Sequence, residues 1–132
     1  MNLTLQGTLA GADEHPALVI PDGPSLTYAQ LRSAVEDAAS RLAGLGVRRG
    51  DRVALAFPNG PEAIVLFLAA ALAGTACPLN PAYTEDEFAF YLEDTEARLL
   101  LLAPGALPAA RRAMGDRGRV VDAAFDASGR LE

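Results

Sequence analysis

Lysine is absent from this sequence: all eleven basic residues among its 132 are arginines. Any mechanism that requires a catalytic lysine is therefore excluded within this chain. Seventeen acidic residues bring the formal net charge to -6. Phosphate neutralisation needs a basic face, so this charge argues against nucleic acid as a partner and against an anionic membrane surface.

Cysteine and histidine each occur once. A single cysteine excludes an internal disulfide and a thiolate metal cluster, and a reducing, cytoplasmic location is the resulting expectation. Cys77 lies in an apolar run and is predicted to be an inert, small core residue. His15 lies beside Pro16 in a polar stretch, where a surface position is expected rather than a role as general base.

Long apolar segments are also missing. The run from Ala63 to Ala73 is far shorter than the roughly 20 residues needed to span a bilayer, so it predicts a core helix. The N-terminus lacks the basic start and long apolar core of a signal peptide. With 51% hydrophobic residues, the chain has the size and composition of one folded domain. We expect a loosely held leader over residues 1–15 and a single domain over 16–132.

Continuous apolar runs that alternate with helical patterns make up most of this domain. Runs without polar alternation are typical of strands buried on both faces. An alternation of such strands with helices predicts an α/β fold with a mainly parallel sheet flanked by helices. The predicted strands are 52–57, 75–79, 98–102 and 119–122, and the helices between them are 62–73, one beginning after Thr84, and 106–114.

The N-terminal part of the domain shows a different pattern. A short strand, 17–20, is followed by a turn at 21–25 and a returning strand, 26–28, which predicts a small antiparallel pair. Thr27 and Gln30 then form a capping-box pattern at the start of a long helix. That helix is expected to end at Gly44 or Gly46.

Two further helices have informative side-chain patterns. The helix 62–73 is apolar nearly all round, which predicts burial between layers. Thr84 and Glu87 form a second capping box. In the helix that follows, Phe88, Tyr91 and Leu92 are expected to form the buried stripe, and Phe90 falls off that stripe.

Two loops at predicted strand ends are candidate sites, because ligands of open parallel sheets bind beyond the carboxyl ends of the strands. In the first loop, residues 58–61, backbone N–H groups would face a ligand. Helix capping explains the same residues, with Asn59 or Gly60 as the cap and Pro61 in the first turn. In the second, 78–84, Asn80 and Tyr83 would line a pocket or hold the loop by side-chain hydrogen bonds. The structural interpretation is favoured for both loops.

Carboxylates at 85–87 and 93–94 invite a metal or acid–base interpretation. A helix-cap role for the first group and a solvated surface for the second are favoured. The sequence also lacks the G-x-G-x-x-G, G-x-x-x-x-G-K-[ST] and G-x-S-x-G signatures that nucleotide-binding and hydrolase α/β folds carry. These absences count against the usual stand-alone enzymes of this architecture.

Three motifs occur in a fixed order: G-V-x-x-G-D-R-V-A at 46–54, P-N-x-x-E at 58–62 and P-L-N-P at 78–81. Together they resemble the start of the adenylate-forming (AMP-binding) superfamily, which includes acyl-CoA synthetases. The resemblance covers roughly residues 16 to 122. The stretch LNPAYTEDEFAFYLEDTEARLLL is most similar to the branch of oxalate- and malonate-type acid–CoA ligases and peroxisomal CoA synthetases.

The resemblance implies a two-step reaction in which ATP and Mg²⁺ convert a carboxylic acid to an acyl-adenylate, and the thiol of coenzyme A then displaces AMP. The family's Ser/Thr/Gly-rich phosphate loop ends in a lysine, and this chain contains neither. No catalytic residue is therefore carried onto any position here, no cofactor-binding residue is assigned, and no metal ligand is expected.

Two functional hypotheses follow. The first is an N-terminal fragment of an acid–CoA ligase that is inactive alone and binds no cofactor by itself. Its partners would be the remainder of the polypeptide and, in the whole protein, the acid and coenzyme A. The isolated fragment is also expected to self-associate. The alternative is a stand-alone α/β binding or interaction module without catalysis.

Overall fold

The computed structural model describes residues 5–19, 21 and 25–125. Helices and strands alternate through most of this range, as the sequence pattern predicts. In chain order the elements are α1 (Leu5–Thr8), β1 (Pro16–Leu18), β2 (Leu26–Thr27), α2 (Tyr28–Gly44), β3 (Arg52–Leu55), α3 (Pro61–Ala73), β4 (Thr75–Pro78), α4 (Glu85–Thr95), β5 (Leu99–Leu102), α5 (Pro108–Met114) and β6 (Arg119–Asp122).

The main sheet has four parallel strands in the order β4-β3-β5-β6. At its centre Ala54 is paired with Cys77 on one side and with Leu100 on the other. β1 and β2 form a separate antiparallel pair, with Pro16 opposite Thr27. The predicted architecture, a parallel sheet with helices and a small antiparallel pair, is confirmed.

Apart from the exposed Arg52 at the start of β3, the central strands β3 and β5 are apolar because each face of the sheet is covered by helices. Val53 and Leu101 belong to a cluster with residues of α2 and α3. Ala54 and Leu100 belong to a second cluster, which contains residues of α4 and α5. Successive strand residues point to opposite faces, so a strand in the middle of three layers needs apolar residues at every position.

The helices α2 and α4 begin at the threonines that the sequence marks as caps. Thr27 Oγ accepts the backbone N–H of Gln30 at 3.2 Å, and Gln30 Oε1 accepts that of Thr27 at 2.9 Å. Thr84 Oγ also accepts the N–H of Glu87 at 3.2 Å, but the predicted second capping box is incomplete, because the Glu87 carboxylate accepts the Thr84 hydroxyl instead of the Thr84 backbone N–H. Each threonine satisfies a donor that the first turn of a helix leaves unpaired.

The described part of the N-terminal stretch, residues 5–15, lies against the helices that follow it. The short helix α1, which no sequence pattern predicts, contacts α3. Leu9 packs on a third apolar cluster centred on Leu31, Val35 and Val65. The guanidinium of Arg32 donates to the Leu9 carbonyl at 3.0 Å and forms an ion pair with Asp13. This stretch is therefore anchored, and the division into a leader and a domain stays a prediction.

Several element bounds differ from those predicted. β1 ends at Leu18 with Val19 exposed, and position 20 and most of the predicted turn at 21–25 lie outside the described residues. β3 ends two residues early, and α5 begins at Pro108 rather than at residue 106. Proline is well suited to the first position of a helix, because its missing N–H is not needed there.

Two burial predictions are wrong. α3 is not enclosed on all sides, because Ile64 and Phe67 are 42% and 41% exposed. Tyr91 is 36% exposed and does not belong to the buried stripe of α4, which consists of Phe88 and Leu92. Phe90 is 62% exposed, in line with its predicted position off the stripe. No helix within the described residues is long and apolar enough to cross a bilayer.

Candidate functional site

The two loops singled out from the sequence lie side by side at one edge of the sheet. They follow β3 and β4, which are neighbours, with Leu55 paired to Pro78. Just past that pair the Leu79 N–H donates to the Leu55 carbonyl at 2.8 Å. Both loops therefore leave the sheet at its carboxyl edge, where open parallel sheets bind their ligands.

The first loop is built by helix-start chemistry. Gly60, rather than Asn59, is the N-cap of α3, and its φ of 164° is extended backbone that any residue adopts. No side chain caps this end, and Pro61 occupies the first turn. The Ile64 N–H donates to the Gly60 carbonyl at 3.3 Å. Gly60 and Pro61 therefore occupy the helix-start positions that the capping interpretation gives them, while the Asn59 side chain caps nothing and lines the space beside the loop.

The second loop is held by Asn80. Its side-chain oxygen accepts the N–H of Ala82 at 2.9 Å, and its carbonyl accepts the N–H of Tyr83 at 3.1 Å. An asparagine that bonds the backbone two residues on is a turn former, and the following Pro81 restricts the same turn. Asn80 thus fixes the loop's path and also lines the space between the loops.

An open groove of about 810 Å³ lies between the two loops and the N-terminal half of α3. Its walls are mostly aliphatic and aromatic, and its polar side chains are two asparagine amides. No ionisable side chain is present among the described residues that line it. The lining residues are Leu55, Phe57, Asn59, Gly60, Ala63, Ile64, Phe67, Leu68, Pro78, Leu79, Asn80 and Pro81.

Ile64 and Phe67 are exposed residues of the groove lining that the sequence pattern did not assign to a site. They lie on the flank of α3 that was expected to be buried, and they face the groove instead. The sequence contains a signal for this exposed flank, because a helix that is apolar all round has more apolar surface than contact with one sheet covers. A stretch with this excess either lies in a closed core or forms the wall of a groove.

Three residues weighed as site candidates lie outside the groove lining. Tyr83 packs on the α4 and α5 side of the sheet and stacks on Tyr91, with ring centroids 5.0 Å apart. Cys77 is half-buried and contacts the same cluster. His15 is exposed, and its Nδ1 lies 3.1 Å from the Pro16 carbonyl oxygen.

The pKa values of two of these groups are shifted. Partial burial raises the pKa of the Cys77 thiol, and the nearby Arg52 opposes this effect. The thiol is therefore less reactive than a free cysteine, as expected for a packing residue. The pKa of Tyr83 is also raised, first by desolvation, then by the neighbouring Tyr91 side chain and by the negative charge of Glu87.

Three carboxylates of α4 have identified partners, which are either arginines or the helix-cap residue. Glu85 forms an ion pair with Arg112 at 3.1 Å, and Glu93 lies 3.8 Å from Arg117, so both face α5 and its following turn. Glu87 is bonded to the cap residue Thr84. In the part of the chain that the structure describes, no group of three or more candidate ligands could hold a metal ion.

Comparison with known proteins identifies the family to which this chain is related. Residues 5–130 match the family model described as AMP-binding enzyme. The chain is 45% identical over 117 residues to a probable CoA ligase of Humulus lupulus, covering 85% of this chain and 22% of that protein. It is 46% identical over 104 residues to an oxalate–CoA ligase of Arabidopsis thaliana, covering 71% of this chain and 20% of that protein.

Solved structures agree with these sequence matches. The crystal structure of ATP-bound MatB from Rhodopseudomonas palustris superposes with a TM-score of 0.80 at 29% identity, covering 99% of this chain and 27% of that one. An O-succinylbenzoate coenzyme A synthetase of Bacillus subtilis, in complex with AMP, gives 0.78 at 26% identity, covering 90% and 31%.

The fold, the groove at the carboxyl edge and a family match over nearly the whole chain lead to one conclusion: the chain belongs to the AMP-binding enzyme family. It spans about a fifth of the length of the two CoA ligases described above.

Proposed function

We propose that this chain forms the first part of an ATP-dependent acid–CoA ligase and that it is catalytically inactive alone. The observation that carries the proposal is the family match over residues 5–130, with two CoA ligases at 45% and 46% identity. The finer assignment, to the oxalate- and malonate-type branch, is supported by the similarity to the Arabidopsis oxalate–CoA ligase.

The groove lacks the cationic side chains that a site for the triphosphate of ATP uses. Binding and reaction at phosphates require preorganised positive charge or a cradle of backbone N–H groups. The lining of this groove carries no cationic side chain, and the sequence contains neither a lysine nor a glycine-rich phosphate loop. ATP, Mg²⁺ and the reacting carboxylate would therefore be held by residues outside this chain.

What the chain supplies is structural. Its apolar groove at the carboxyl edge has the composition of a wall that contacts uncharged parts of a ligand, such as an acyl chain or the arm of coenzyme A. Asn59 and Asn80 offer two amide groups at the rim. In this proposal the parallel sheet positions that wall, and the rest of the polypeptide provides the reacting groups.

The test is carboxylate-dependent exchange between ATP and pyrophosphate. We expect the purified 132-residue chain, assayed with Mg²⁺ and a panel that includes oxalate, malonate and medium-chain fatty acids, to show no exchange above a no-protein control. Exchange clearly above that control would overturn the proposed inactivity.

Reading the DNA beyond codon 132 tests the other half of the proposal. A continuing frame that encodes a Ser/Thr/Gly-rich loop ending in lysine is the expected result, and the longer product should then catalyse the exchange. An immediate stop codon would favour a stand-alone binding module instead.

A further inference from the structure

The exposed face of α4 combines aromatic and acidic side chains. Glu87, Phe90, Tyr91 and Asp94 have the spacing i, i+3, i+4 and i+7, which puts them on one stripe of the helix. All four are exposed, and Phe90 is the most exposed of the chain's aromatic residues that the structure describes. The stripe runs beside the buried side formed by Phe88 and Leu92, and Phe90 is the member that points farthest from that side.

The aromatic rings of this stripe are packed into one unit. Tyr91 stacks on Tyr83 with ring centroids 5.0 Å apart, and Phe90 meets Tyr91 edge-on at 5.2 Å. Tyr83 in turn contacts the buried Phe88 at 5.6 Å, so the cluster is braced against the core. Braced rings offer a preformed surface, and a partner that binds them orders few additional side chains.

The charge around these rings is negative. Glu87 and Asp94 bracket them along the helix axis, two turns or about 10 Å apart. The other flank of α4 is used internally, since Glu85 and Glu93 pair with Arg112 and Arg117. Asp94 forms no ion pair with any described residue. The stripe therefore presents ring faces and carboxylates without a cation of its own.

We propose that this stripe of α4 is a docking surface for a protein segment that carries two basic side chains about 10 Å apart with an apolar residue between them. Ring faces attract guanidinium and ammonium groups, and carboxylates pair with the same groups. An exposed phenylalanine would bury its ring against the apolar residue of the segment. In a polyproline II segment, which has three residues per turn and a rise of about 3.1 Å per residue, basic residues three positions apart lie on the same side with close to this spacing.

The test uses the full 132-residue chain and a blocked peptide, Gly-Arg-Leu-Leu-Arg-Gly, with one leucine replaced by the photoreactive p-benzoylphenylalanine. After irradiation, mass spectrometry locates the cross-links. We expect them within residues 83–95, and replacing both arginines of the peptide by citrulline, a neutral analogue, should lower the yield at least about fivefold.

Matched variants of α4 distinguish binding by this stripe from a general attraction to the negative charge of the chain. Phe90→Ser and Asp94→Asn should each lower the yield about two- to fivefold. Glu93→Gln removes the same charge from the same helix on the flank that pairs with Arg117, and it should leave the yield unchanged. Circular dichroism spectra that match the parent chain establish that each variant is folded.

Three results would overturn the proposal. Cross-links scattered over other surfaces, or an equal yield with the citrulline peptide, would show that the stripe does not recognise cations. An equal loss in Glu93→Gln and Asp94→Asn would show that only net charge matters. Complete competition by micromolar tetramethylammonium would identify a small-cation site rather than a surface for a protein segment.

Discussion

The helices α3 and α4 both begin directly after a loop that follows a strand, yet their exposed sides differ in chemistry. α3 contains one ionisable residue, Glu62, and turns Ile64 and Phe67 towards the groove. α4 starts with three carboxylates and exposes Phe90 among acidic neighbours. The comparison shows that exposed apolar side chains occur in two settings here: one shapes a groove wall, and the other lies within a charged surface.

The largest expected effect concerns the buried side of α3. Leu66 is fully buried between α2 and the sheet, so Leu66→Asp would place an unpaired charge among apolar neighbours and leave part of the side-chain volume empty. We expect a loss of more than about 4 kcal/mol in the free energy of unfolding, measured by thermal melts in circular dichroism.

Phe67→Asp is the matched control, one residue along the same helix. Because Phe67 faces the open groove, this change should cost less than about 1.5 kcal/mol, far less than Leu66→Asp. Similar melting curves for the two variants would contradict the assignment of an inner and an outer side to α3.

The second-largest expected effect distinguishes the buried side of α4 from its exposed side. Phe88 is fully buried in the cluster under α4 and α5, so Phe88→Ala should lower the free energy of unfolding by about 3–5 kcal/mol. Phe90→Ala removes the same atoms from an exposed position and should change it by no more than about 0.5 kcal/mol. Urea titrations of the two variants measure the difference, and equal midpoints would refute it.

The third effect is self-association of the isolated chain through the exposed flank of α3. Apolar patches larger than a few hundred Å² are unusual on monomers, and β4 is an open edge of the sheet. The net charge of -6 opposes association, but salt at 0.1 M screens it beyond about 10 Å. Sedimentation velocity over a concentration series should show species larger than a monomer.

The double variant Ile64→Ser, Phe67→Ser should weaken this association, while Phe90→Ser, which lies among carboxylates, should have little effect. A single monomeric species of the parent chain at high micromolar concentration, without binding of an apolar dye, would contradict the prediction. It would also argue that the chain is a complete domain.

The smallest effect concerns the pKa of Tyr83. Its raised pKa means that the folded state favours the protonated phenol of Tyr83. The stability that the protonated phenol contributes is therefore complete below the ordinary tyrosine pKa, and it is lost as the pH rises through the pKa of the folded state. Absorbance titration of the phenolates should show one tyrosine that ionises later than the others. Tyr83→Phe should remove that late step, and its persistence would assign the step to another tyrosine.

The fold was largely predictable because its signals are local. Strands buried on both faces need continuous apolar runs, and helix starts need a side-chain acceptor for a free N–H, so 52–57, 98–102 and the two capping threonines stand out in the sequence. The predicted ends erred by one or two residues, since a strand ends where its neighbour stops pairing, as β3 does at Leu55 opposite Pro78.

The candidate site was predictable only in part. The sequence marks the loops at 58–61 and 78–84 as candidates, since both follow strands. It does not show that Asn80 lines the groove while Tyr83 packs on the other layer, because the path of the second loop decides this difference. Nor does it show which side of α3 forms the groove wall.

The sequence by itself determined the class of fold, the helix starts, the absence of lysine chemistry and the relationship to a family, because each depends on residue types and their spacing. The tertiary structure alone decided which apolar residues are enclosed and which are exposed. Leu66 and Phe67 are adjacent and equally apolar, yet one is buried and the other is open to the groove. Burial depends on what lies against each side of a helix, and the sequence of a helix does not state its neighbours.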